Sequence, residues 1–575
     1  MHGGDCLADL AFQAKHWKQF ALSFCLKCKF SLRPCAPGNF RTGRNRMPTL
    51  HWVGKDKVKH HHRDVPYRVL VDDYRYQAPV GSPDNSNANR IIHGDNLEAL
   101  KSLLPEFEGK VRCIYIDPPY NTGNEGWVYN DNVNDPRIKK WLGQVVGKEG
   151  EDMSRHDKWL CMMYPRLKLL HRLLAEDGAI FVSIDDNEVN YLRDIMDDIF
   201  GRRNFIASII WQKRTSPDAR LQISDAHEYI ISYSKNLSKI KLNKLSLTEQ
   251  QKSTYKNPDR DARGYWVSTD FTAQGFRPNQ MYKIKTPAGV IYEPPAGRCW
   301  GNIESEFKRL LSEKKIWFGV NGDSRPRVKK FLIESEGISP WTWWGNNEVG
   351  HSQEAKKEVG AILGDITAFD TPKPLRLIER ILQLEVDKNA IILDSFAGSG
   401  TTAHAVLKLN AQDGGQRRFI LIEVMDYAES LTAERVRRVM TGYGEGAKAV
   451  AGLGGGFVYQ HLGEPLFDAE QQLNPAVALK AVREYIAWQE CISRAALAAL
   501  DNPRHRYWLG EANGQQVFFC YEPQRITCLD LELLAELIQS PSPTLFYADQ
   551  LALGEDFMRQ HKLRFKKIPR DISRL

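Results

Sequence analysis

A short apolar run in this chain ends in an acid, two prolines and an aromatic residue. The run, at positions 111–116, is typical of a buried strand. Pro118 and Pro119 cannot continue a hydrogen-bonded ladder or open a regular helical turn, so the chain must leave the strand in a fixed, extended turn. Asp117 and Tyr120 are then held at the carboxyl end of a strand, where open α/β sheets bind their ligands.

The groups in this turn have the chemistry needed to hold an exocyclic amine. The Asp117 carboxylate and the Pro118 carbonyl both accept hydrogen bonds, and the Tyr120 ring can stack on a flat heterocycle. Enzymes that modify a nucleobase take it out of the stack and hold it in a pocket of this kind. The same residues also suit an ordinary turn at the end of a strand, so the choice between the two depends on the rest of the chain.

The stretch before this strand has the pattern of a preceding unit in a parallel sheet. Residues 90–93 predict a short strand, and residues 97–104 predict a helix that ends before Pro105. A strand, a turn and a helix followed by the next strand is the repeating order of such sheets. Asp95, in the turn, has two interpretations: it caps the helix, or it points into a site shared with Asp117.

The same order continues after the turn. A stretch rich in Gly, Asn and Asp at 121–151 indicates a long loop that covers a site. A helix is predicted at 159–174, and a strand at 179–184 follows it. Residues 206–211 and 229–233 predict two more strands, which we interpret as an antiparallel pair closing the edge of the sheet.

A second strand–turn–helix unit lies far along the chain, at 390–404. Gly398 and Gly400 in its turn let the backbone approach a ligand closely, and the helix amino end favours negative groups. The next predicted strand, at 418–423, ends in Glu423, which is placed to bind ribose hydroxyls of an adenosine-containing cofactor. The sequence lacks the full Gly-x-Gly-x-x-Gly pattern of NAD-binding proteins and the Gly-x-x-x-x-Gly-Lys of ATP-driven motors.

Charge is concentrated in two parts of the 575-residue chain, whose formal net charge is +8. Residues 235–365 hold 22 Lys and Arg against 15 Asp and Glu, and residues 1–46 hold eight against two, so the remainder is slightly acidic. A basic middle segment suggests a polyanionic partner. The chain is 42% apolar and has no apolar run near the ~20 residues of a membrane span, which predicts two to four globular domains and no membrane contact.

The basic middle segment is also rich in aromatic residues, since it holds six of the fourteen tryptophans. Basic and aromatic residues interleaved in this way suit a module that contacts the DNA backbone and reads bases. The alternative is a helper domain whose aromatic residues form its own core. We predict DNA contacts for the densest group of positive charges in the segment, Arg325, Arg327, Lys329 and Lys330.

Ten cysteines in a chain of this length do not indicate a disulfide scaffold, and they favour a reduced, cytoplasmic protein. Cys25 and Cys28 have the spacing of zinc ligands, but no second pair follows nearby, so we predict no metal site. Residues 1–46 lack periodicity and are predicted to be an unstructured extension. The tail at 441–575 predicts a long helix at 475–500 and then a small α/β pattern without catalytic residues.

Motifs spread over about residues 50–440 resemble those of a known enzyme family. Asp-Pro-Pro-Tyr ahead of Phe-Ala-Gly-Ser-Gly, with a variable stretch between them, resembles the β class of amino-methylating DNA methyltransferases. Five further motifs resemble the modification (Mod) subunit of type III restriction systems: His93-Gly94-Asp95-Asn96, Pro118-Pro119-Tyr120-Asn121-Thr122-Gly123, His156-Asp157-Lys158-Trp159-Leu160, Ser183-Ile184-Asp185-Asp186-Asn187-Glu188 and Thr371-Pro372-Lys373-Pro374.

The resemblance implies a permuted, Rossmann-like α/β core that binds S-adenosylmethionine and methylates an amine. The target base would lie against Asp117, Pro118, Pro119 and Tyr120, where the amine lone pair attacks the methyl group in line and no covalent intermediate forms. In this family, Asp in the first position of the motif favours adenine N6 over cytosine N4. The cofactor side of the site maps onto Asp95, Lys373, Asp394, Phe396, Gly398, Gly400, Thr401 and Glu423, of which Glu423 would hold the ribose.

The resemblance and the composition together divide the chain into five parts. These are an extension (1–46), the catalytic half of the methyltransferase core (47–234), a target-recognition domain (235–365), the cofactor-binding half of the core (366–440) and a C-terminal partner or DNA-contacting domain (441–575). The partners that the resemblance implies are double-stranded DNA, a second copy of the chain in a homodimer, and a helicase–nuclease restriction subunit.

Other functions stay open at this point. One is cytosine-N4 methylation, and another is DNA methylation without a restriction partner. Methylation of RNA or a small molecule is less favoured, because a small substrate does not need a basic insertion of about 130 residues. A DNA-binding regulator with a degenerate core is also less favoured, because Asp117, Tyr120, Phe396 and Glu423 are all present.

Overall fold

The structure is a computed structural model, and it describes residues 50–79, 88–122, 140, 143–145, 154–385, 387–493, 495–538 and 542–572. The extension predicted at 1–46 and nearly all of the covering loop predicted at 121–151 lie outside these ranges. Residues 50–575 belong to one compact unit. Among the described helices, none combines the length and the apolar character that crossing a membrane requires.

The part of the chain before residue 235 alternates strands and helices as the sequence predicts. A π-helical turn, Asp197–Gly201, and a 3₁₀ turn, Arg202–Asn204, extend one of its helices. In chain order the elements are α1 (Lys55–Val58), α2 (His61–Asp64), β1 (Arg68–Gln77), β2 (Arg90–His93), α3 (Asn96–Phe107), β3 (Val111–Ile116), α4 (Arg155–Leu173), β4 (Leu174–Ile184), α5 (Val189–Met196), β5 (Phe205–Gln212) and β6 (His227–Ser234).

The basic middle segment contains eight short strands and four helices. Two 3₁₀ turns, Pro278–Gln280 and Leu332–Glu334, lie between them. In chain order the elements are α6 (Glu249–Lys252), β7 (Trp266–Asp270), β8 (Thr272–Gln274), β9 (Ile284–Lys285), β10 (Ile291–Tyr292), β11 (Arg298–Trp300), α7 (Glu304–Ser312), β12 (Ile316–Trp317), β13 (Arg327–Phe331), β14 (Trp343–Trp344), α8 (Asn346–Val349) and α9 (Ser352–Leu363).

The last third of the chain returns to alternating strands and helices. It includes 3₁₀ turns at Asp426–Ala428 and Gly446–Lys448 and a π-helical turn at Glu429–Ala433. In chain order the elements are α10 (Leu375–Gln383), β15 (Ile391–Asp394), α11 (Thr401–Asp413), β16 (Arg418–Glu423), α12 (Glu434–Thr441), β17 (Gly442–Tyr443), β18 (Val450–Ala451), β19 (Gly456–Pro465), α13 (Leu479–Gln489), β20 (Trp508–Ala512), β21 (Gln515–Phe519), β22 (Cys528–Leu529), α14 (Leu531–Leu537), β23 (Thr544–Ala548), β24 (Gln550–Leu551), α15 (Glu555–Gln560) and β25 (Leu563–Lys567).

A central sheet organises the described residues, with the strand order β1-β19-β2-β16-β15-β3-β4-β6-β5-β14. Strands β19, β2, β16, β15, β3 and β4 run parallel, whereas β6 pairs antiparallel with both β4 and β5. The predicted parallel sheet with an antiparallel pair is therefore confirmed, although β14 adds one more strand beyond β5. Because β15 and β16 lie between β2 and β3, the two halves of the core interleave.

Helices cover both faces of this sheet. Side chains alternate along β3, so that Ile114 and Ile116 pack with α3 and α4, whereas Cys113 and Tyr115 pack on the opposite face with α10 and α11. Helix α3 does not end before Pro105, as the sequence predicts, but continues to Phe107. A proline in the last turn costs one backbone hydrogen bond, and the burial of the Phe107 ring offsets that cost.

The basic segment leaves the central sheet and returns to it through a narrow neck. Leu245 and Ile338 exchange two backbone hydrogen bonds, of 2.8 and 2.9 Å. Between them the chain has its own core, formed by Phe271, Ile284, Trp300, Phe307, Leu310, Ile316 and Phe318. The chain after residue 338 rejoins the main core through β14 and α9, so the separate part of the predicted 235–365 domain is residues 246–337.

The tail also begins inside the central sheet. Strand β19 pairs with β1 on one side and β2 on the other, so residues 456–465 are part of the core although the predicted C-terminal domain starts at 441. Beyond them, β20, β21, β23 and β25 form a separate four-stranded sheet. The helix predicted at 475–500 is confined to α13, which ends two residues before Cys491 adopts a left-handed φ of 59°.

Candidate active site

Three acids lie at the carboxyl ends of neighbouring parallel strands. Asp117 follows β3, Asp394 ends β15 and Glu423 ends β16. The register pairs Leu393 with Ile114 and Asp394 with Leu421, so the three strands end at nearly the same level. The two motifs that are almost 280 residues apart in sequence, at Asp117 and Asp394, therefore share one edge of the sheet.

The side chain of Asp117 is 13% exposed and lies between two donors. Lys373 Nζ donates to Oδ2 at 2.6 Å, and the Tyr120 hydroxyl donates to Oδ1 at 2.7 Å. Burial raises the pKa of Asp117, and the nearby charge of Glu228 raises it further, whereas the Lys373 ammonium opposes both effects. Lys373, predicted at the edge of the cofactor, contacts Asp117, which is predicted to hold the target base.

Tyr120 is only 8% exposed, and burial raises the pKa of its phenol well above the ordinary value. Its hydroxyl also lies 3.0 Å from Glu228 Oε2, so its single proton is shared between two carboxylates. Lys373 Nζ lies 5.0 Å from the ring centroid of Tyr120 and 6.0 Å from that of Trp211. The ring is held in place by these contacts, as a stacking platform requires.

Glu228, which sequence reasoning missed, completes this cluster. It is the second residue of β6 and is buried, with Oε2 at 3.6 Å from Lys373 Nζ and Oε1 at 3.5 Å from Lys213 Nζ. Two lysines, Lys213 and Lys373, therefore face two carboxylates, Asp117 and Glu228, in one largely buried cluster. A single acid at the start of a predicted strand has no sequence signal of this role.

Hydrogen bonds to residues elsewhere in the core hold the turn after Asp117 in place. The carbonyl of Pro119 accepts a hydrogen bond of 2.6 Å from the indole N–H of Trp159, which is completely buried. Asn121 then takes a left-handed φ of 59°, and its side-chain amide donates to Glu188 and to the carbonyl of Arg155. These bonds fix the turn at and after Pro119, so the position of Asp117 does not depend on the prolines alone.

The predicted cofactor side begins at Asp394. This buried carboxylate accepts a 2.6 Å hydrogen bond from the Thr402 hydroxyl and a 3.1 Å bond from the backbone N–H of Phe396. Burial raises the pKa of Asp394 to about 7, and the charges of Asp117 and Glu423 raise it further. Phe396 is itself buried in the core that α3 and α4 cover.

Glu423 holds the glycine turn that follows β15. Its Oε2 accepts from the backbone N–H of Gly398 at 2.7 Å, and its Oε1 accepts from that of Met425 at 3.0 Å. Gly398 and Gly400 have φ values of 51° and 76°, which disfavour any residue with a side chain. A Cβ at Gly400 would also lie 3.2 Å from the carbonyl oxygen of Thr432. The turn therefore requires glycine at this position.

Asp95 and Thr401 have structural partners. Asp95 Oδ1 caps α3 by accepting from the backbone N–H groups of Leu97 and Glu98, at 2.8 and 3.3 Å, which confirms the first of its two interpretations. The Thr401 hydroxyl accepts a 2.7 Å bond from Arg435. Arg435 is fully buried, and burial lowers its pKa to about 10. Sequence reasoning missed Arg435, because arginine on a helix is ordinarily exposed.

Of the four basic residues predicted to bind DNA, three are exposed: Arg325, Arg327 and Lys330. The prediction of DNA binding is wrong for Lys329, because this residue is 4% exposed and its ammonium pairs with Asp259 and Asp261. Side chains alternate along β13, so Lys329 points into this part of the protein and Lys330 points out. The ammonium of Lys329 is already neutralised and is not presented to a phosphate.

The raised pKa of Asp394 predicts a pH-dependent stability. Its folded pKa of about 7 exceeds the ordinary 3.8, so between these values the folded chain binds a proton that the unfolded chain releases. Stability should therefore fall as the pH rises through this window. We expect the melting temperature to decrease from acid toward neutral pH, and Asp394→Asn to flatten this decrease, as measured by calorimetry.

The matched control for this experiment is Asp413→Asn. Hydrogen bonds from Arg417 lower the pKa of Asp413 below the ordinary 3.8 of an unfolded Asp, so above about pH 5 this carboxylate is ionised in both states. Asp413→Asn should change the melting temperature by a similar amount at every pH in this range, so the slope of melting temperature against pH should stay unchanged. A slope that survives Asp394→Asn would assign the titration to another buried acid.

Comparison with known protein families gives one match over residues 111–434, which is more than half of the chain, to the model described as DNA methylase. This range begins at β3 and ends at the start of α12. The matched range therefore contains both the turn at Asp117 and the strand–turn–helix unit at Asp394, which meet at one edge of the central sheet.

Comparison with individual proteins gives three informative relatives. The type III restriction-modification enzyme StyLTI Mod subunit of Salmonella typhimurium is 37% identical over 399 residues, which are 65% of this chain and 58% of that protein. The EcoPI Mod subunit of Escherichia phage P1 is 33% identical over 421 residues, covering 65% and 63%. The type II methyltransferase M.KpnI of Klebsiella pneumoniae is 32% identical over 382 residues, covering 62% and 84%.

The chain thus spans less than two thirds of the length of the two Mod subunits. It covers 84% of the length of M.KpnI, and the family match contains Asp117, Asp394 and Glu423. We conclude that this chain belongs to the DNA methylase family.

Proposed function

We propose that this chain transfers a methyl group from S-adenosylmethionine to the N6 amine of an adenine that is flipped out of double-stranded DNA. The observation that carries the proposal is the largely buried cluster around Asp117, at the same sheet edge as the glycine turn of Gly398 and Gly400. An amine-binding carboxylate and a cofactor-binding turn are the two parts that such a transfer must bring together.

Asp117 retains the capacity to accept a further hydrogen bond. An ionised carboxylate offers about four lone-pair sites, and Lys373 and Tyr120 occupy two of them. An amine held at this carboxylate, with its ring against Tyr120, would have its lone pair directed away from the protein acid. The chain's contribution to the rate is then positioning and electrostatics, since no protein nucleophile is needed.

The cofactor side of the site fits an adenosine-containing group. Gly398 and Gly400 leave the backbone open to close approach, and Glu423, at the end of the neighbouring strand, holds this turn in place. The hydroxyl of Ser395 is buried and has no hydrogen-bond partner among the described residues, as expected of a group kept for a ligand. When bound, S-adenosylmethionine supplies an electrophilic methyl group.

The choice of adenine and of a type III system rests on similarity. Asp117 occupies the first motif position, where the family resemblance favours adenine, and two relatives are type III Mod subunits. We therefore propose that the chain acts as a modification subunit, as a homodimer on DNA, together with a helicase–nuclease restriction subunit. Residues 246–337 are the proposed target-recognition part.

Incubation of the chain with tritiated S-adenosylmethionine and plasmid DNA tests this function directly. Label should appear in DNA, and nucleoside mass spectrometry should identify the product as N6-methyladenine. N4-methylcytosine would correct the base, and DNA binding without label would favour a regulator. Modification-sensitive sequencing of DNA from an expressing host would then identify the methylated sequence.

We expect Arg325→Ala combined with Arg327→Ala to weaken binding to all DNA sequences alike. If both exposed guanidinium groups contact phosphates, the slope of log affinity against log salt should become shallower by about 1.8, at about 0.9 per contact. Filter binding at several salt concentrations measures this slope. Lys388→Ala with Lys448→Ala, which removes two exposed charges elsewhere, should leave it unchanged. A loss confined to one sequence would instead indicate base reading by these arginines.

A further inference from the structure

The connection between β5 and β6 begins and ends at the candidate active site. Trp211, near the end of β5, lies beside Lys373, and Glu228, near the start of β6, belongs to the Asp117 cluster. Backbone N–H groups of Lys213 and Arg214 donate to the Ala226 carbonyl, which closes the base of the loop. Residues 215–225 therefore project from the base side of the site as a hairpin loop, here called the β5–β6 loop.

The tip of the β5–β6 loop is a compact, hydrogen-bonded turn. Arg220 forms a bidentate pair with Asp218, at 2.9 and 2.7 Å, and the Leu221 N–H donates to the Asp218 carbonyl at 3.1 Å. The Ser224 hydroxyl accepts from the Asp218 N–H at 2.9 Å, which joins the two sides of the tip. This tip is preorganised, so little ordering cost remains to be met on contact with a partner.

Two large apolar side chains stand at this tip without burial. Ile223 is 89% exposed and Leu221 is 52% exposed. The polar groups around them are satisfied within the loop, since Arg220 pairs with Asp218 and Lys213 pairs with Asp225 at 3.0 Å. The loop therefore presents apolar side chains to solvent on a fixed, locally neutralised support.

We propose that Leu221 and Ile223 form a wedge that enters the DNA stack and fills the space left by the flipped adenine. This proposal rests on the proposed function and adds the protein element that stabilises the flipped state. Proteins that distort DNA insert apolar side chains of this kind between base steps. Leu221 lies seven positions before Glu228, so the wedge stays within about 25 Å of the pocket even if that stretch were fully extended.

The wedge has a specific energetic consequence. Removing a paired base from the stack costs a few kcal/mol, and the cost is smaller when the base is unpaired. A wedge offsets part of this cost, because its apolar side chains pack against the neighbouring bases in place of the flipped one. The wedge should therefore lower the free energy of base flipping strongly on a fully paired duplex. It should lower it only slightly on a duplex in which the target adenine has no partner base.

The test compares Leu221→Ala/Ile223→Ala with the unaltered chain on two duplexes that contain the methylated sequence. One duplex is fully paired, and the other has an abasic site opposite the target adenine. The rate of methyl transfer is measured on both, and 2-aminopurine at the target position reports flipping by fluorescence. Val71→Ala with Ile366→Ala removes exposed apolar groups outside the loop and is the control. Thermal melting verifies that each variant is folded.

We expect the wedge variant to be slower on the paired duplex by about tenfold or more and to show weaker 2-aminopurine fluorescence. On the abasic duplex its rate should return to within about twofold of the unaltered chain, and the control variant should match that chain throughout. Equal rates on the paired duplex, or equal losses on both duplexes, would overturn the wedge and leave DNA methylation intact. Absence of transfer by the unaltered chain would overturn the proposed function itself.

Discussion

Asp117→Asn should reduce methyl transfer by about 10²- to 10³-fold, the usual effect of removing one preorganised group from a reacting centre. The amide has nearly the same volume as the carboxylate but loses its charge, and one of its two polar atoms no longer accepts hydrogen bonds. It also leaves the buried Lys373 ammonium without its closest counterion. Single-turnover transfer of tritiated methyl to DNA measures the loss.

Cofactor binding by the same variant should stay within a few-fold of the unaltered chain, as measured by calorimetry. Glu423→Ala is the matched variant, because it removes the carboxylate that holds the Gly398 turn, on the proposed cofactor side of the site. Glu423→Ala should have its main effect on cofactor binding rather than on the transfer step. If Asp117→Asn lost cofactor affinity in step with transfer, the assignment of the two motifs to separate sides of the site would be wrong.

Exchange of residues 246–337 for the corresponding segment of a relative should change which DNA sequence is methylated and leave N6-methyladenine as the product. This part has its own core, and it joins the sheet through the paired Leu245 and Ile338. Junctions placed at this neck cut no strand of the central sheet, so the catalytic cluster should remain assembled. Modification-sensitive sequencing of host DNA measures the change.

A chain in which the same junctions are built around its own segment is the control for this exchange, and it should methylate the original sequence. An exchanged chain that is active and keeps the original sequence would contradict the assignment and place recognition elsewhere, for instance in the tail. Each bidentate hydrogen-bonded pair between a side chain and a base is worth about 1–3 kcal/mol of discrimination, so replacing these pairs should change the target clearly.

Local sequence was sufficient to predict the strands and turns that build the edge of the site. The apolar run before Asp117 and the prolines after it leave few conformations open, and the structure has the strand at Val111–Ile116. The same holds for the strand Ile391–Asp394 and the glycine turn after it, where Gly400 has a positive φ and an added Cβ would lie 3.2 Å from the Thr432 carbonyl oxygen. These features depend on backbone sterics and apolar periodicity, which neighbouring residues determine.

Predictions from local sequence patterns were wrong where burial or pairing with distant residues determined the position of a side chain or a strand. The positive residues at 325–330 look alike in sequence, yet Lys329 lies inside against Asp259 and Asp261. The predicted tail begins at 441, yet Gly456–Pro465 completes the central sheet between β1 and β2. In both cases the free energy of burying a group is set by partners that are distant in the chain.

The sequence by itself determined the two motifs, their order and the type of chemistry each can support, because these follow from residue identity and local backbone geometry. The tertiary structure alone decided which other groups surround them. Glu228 reaches Tyr120 because β6 runs antiparallel beside β4, and Arg435 reaches Thr401 because α12 packs against the turn after β15. A buried charge is stable only where folding supplies its partners, so those partners are found only once the chain has folded.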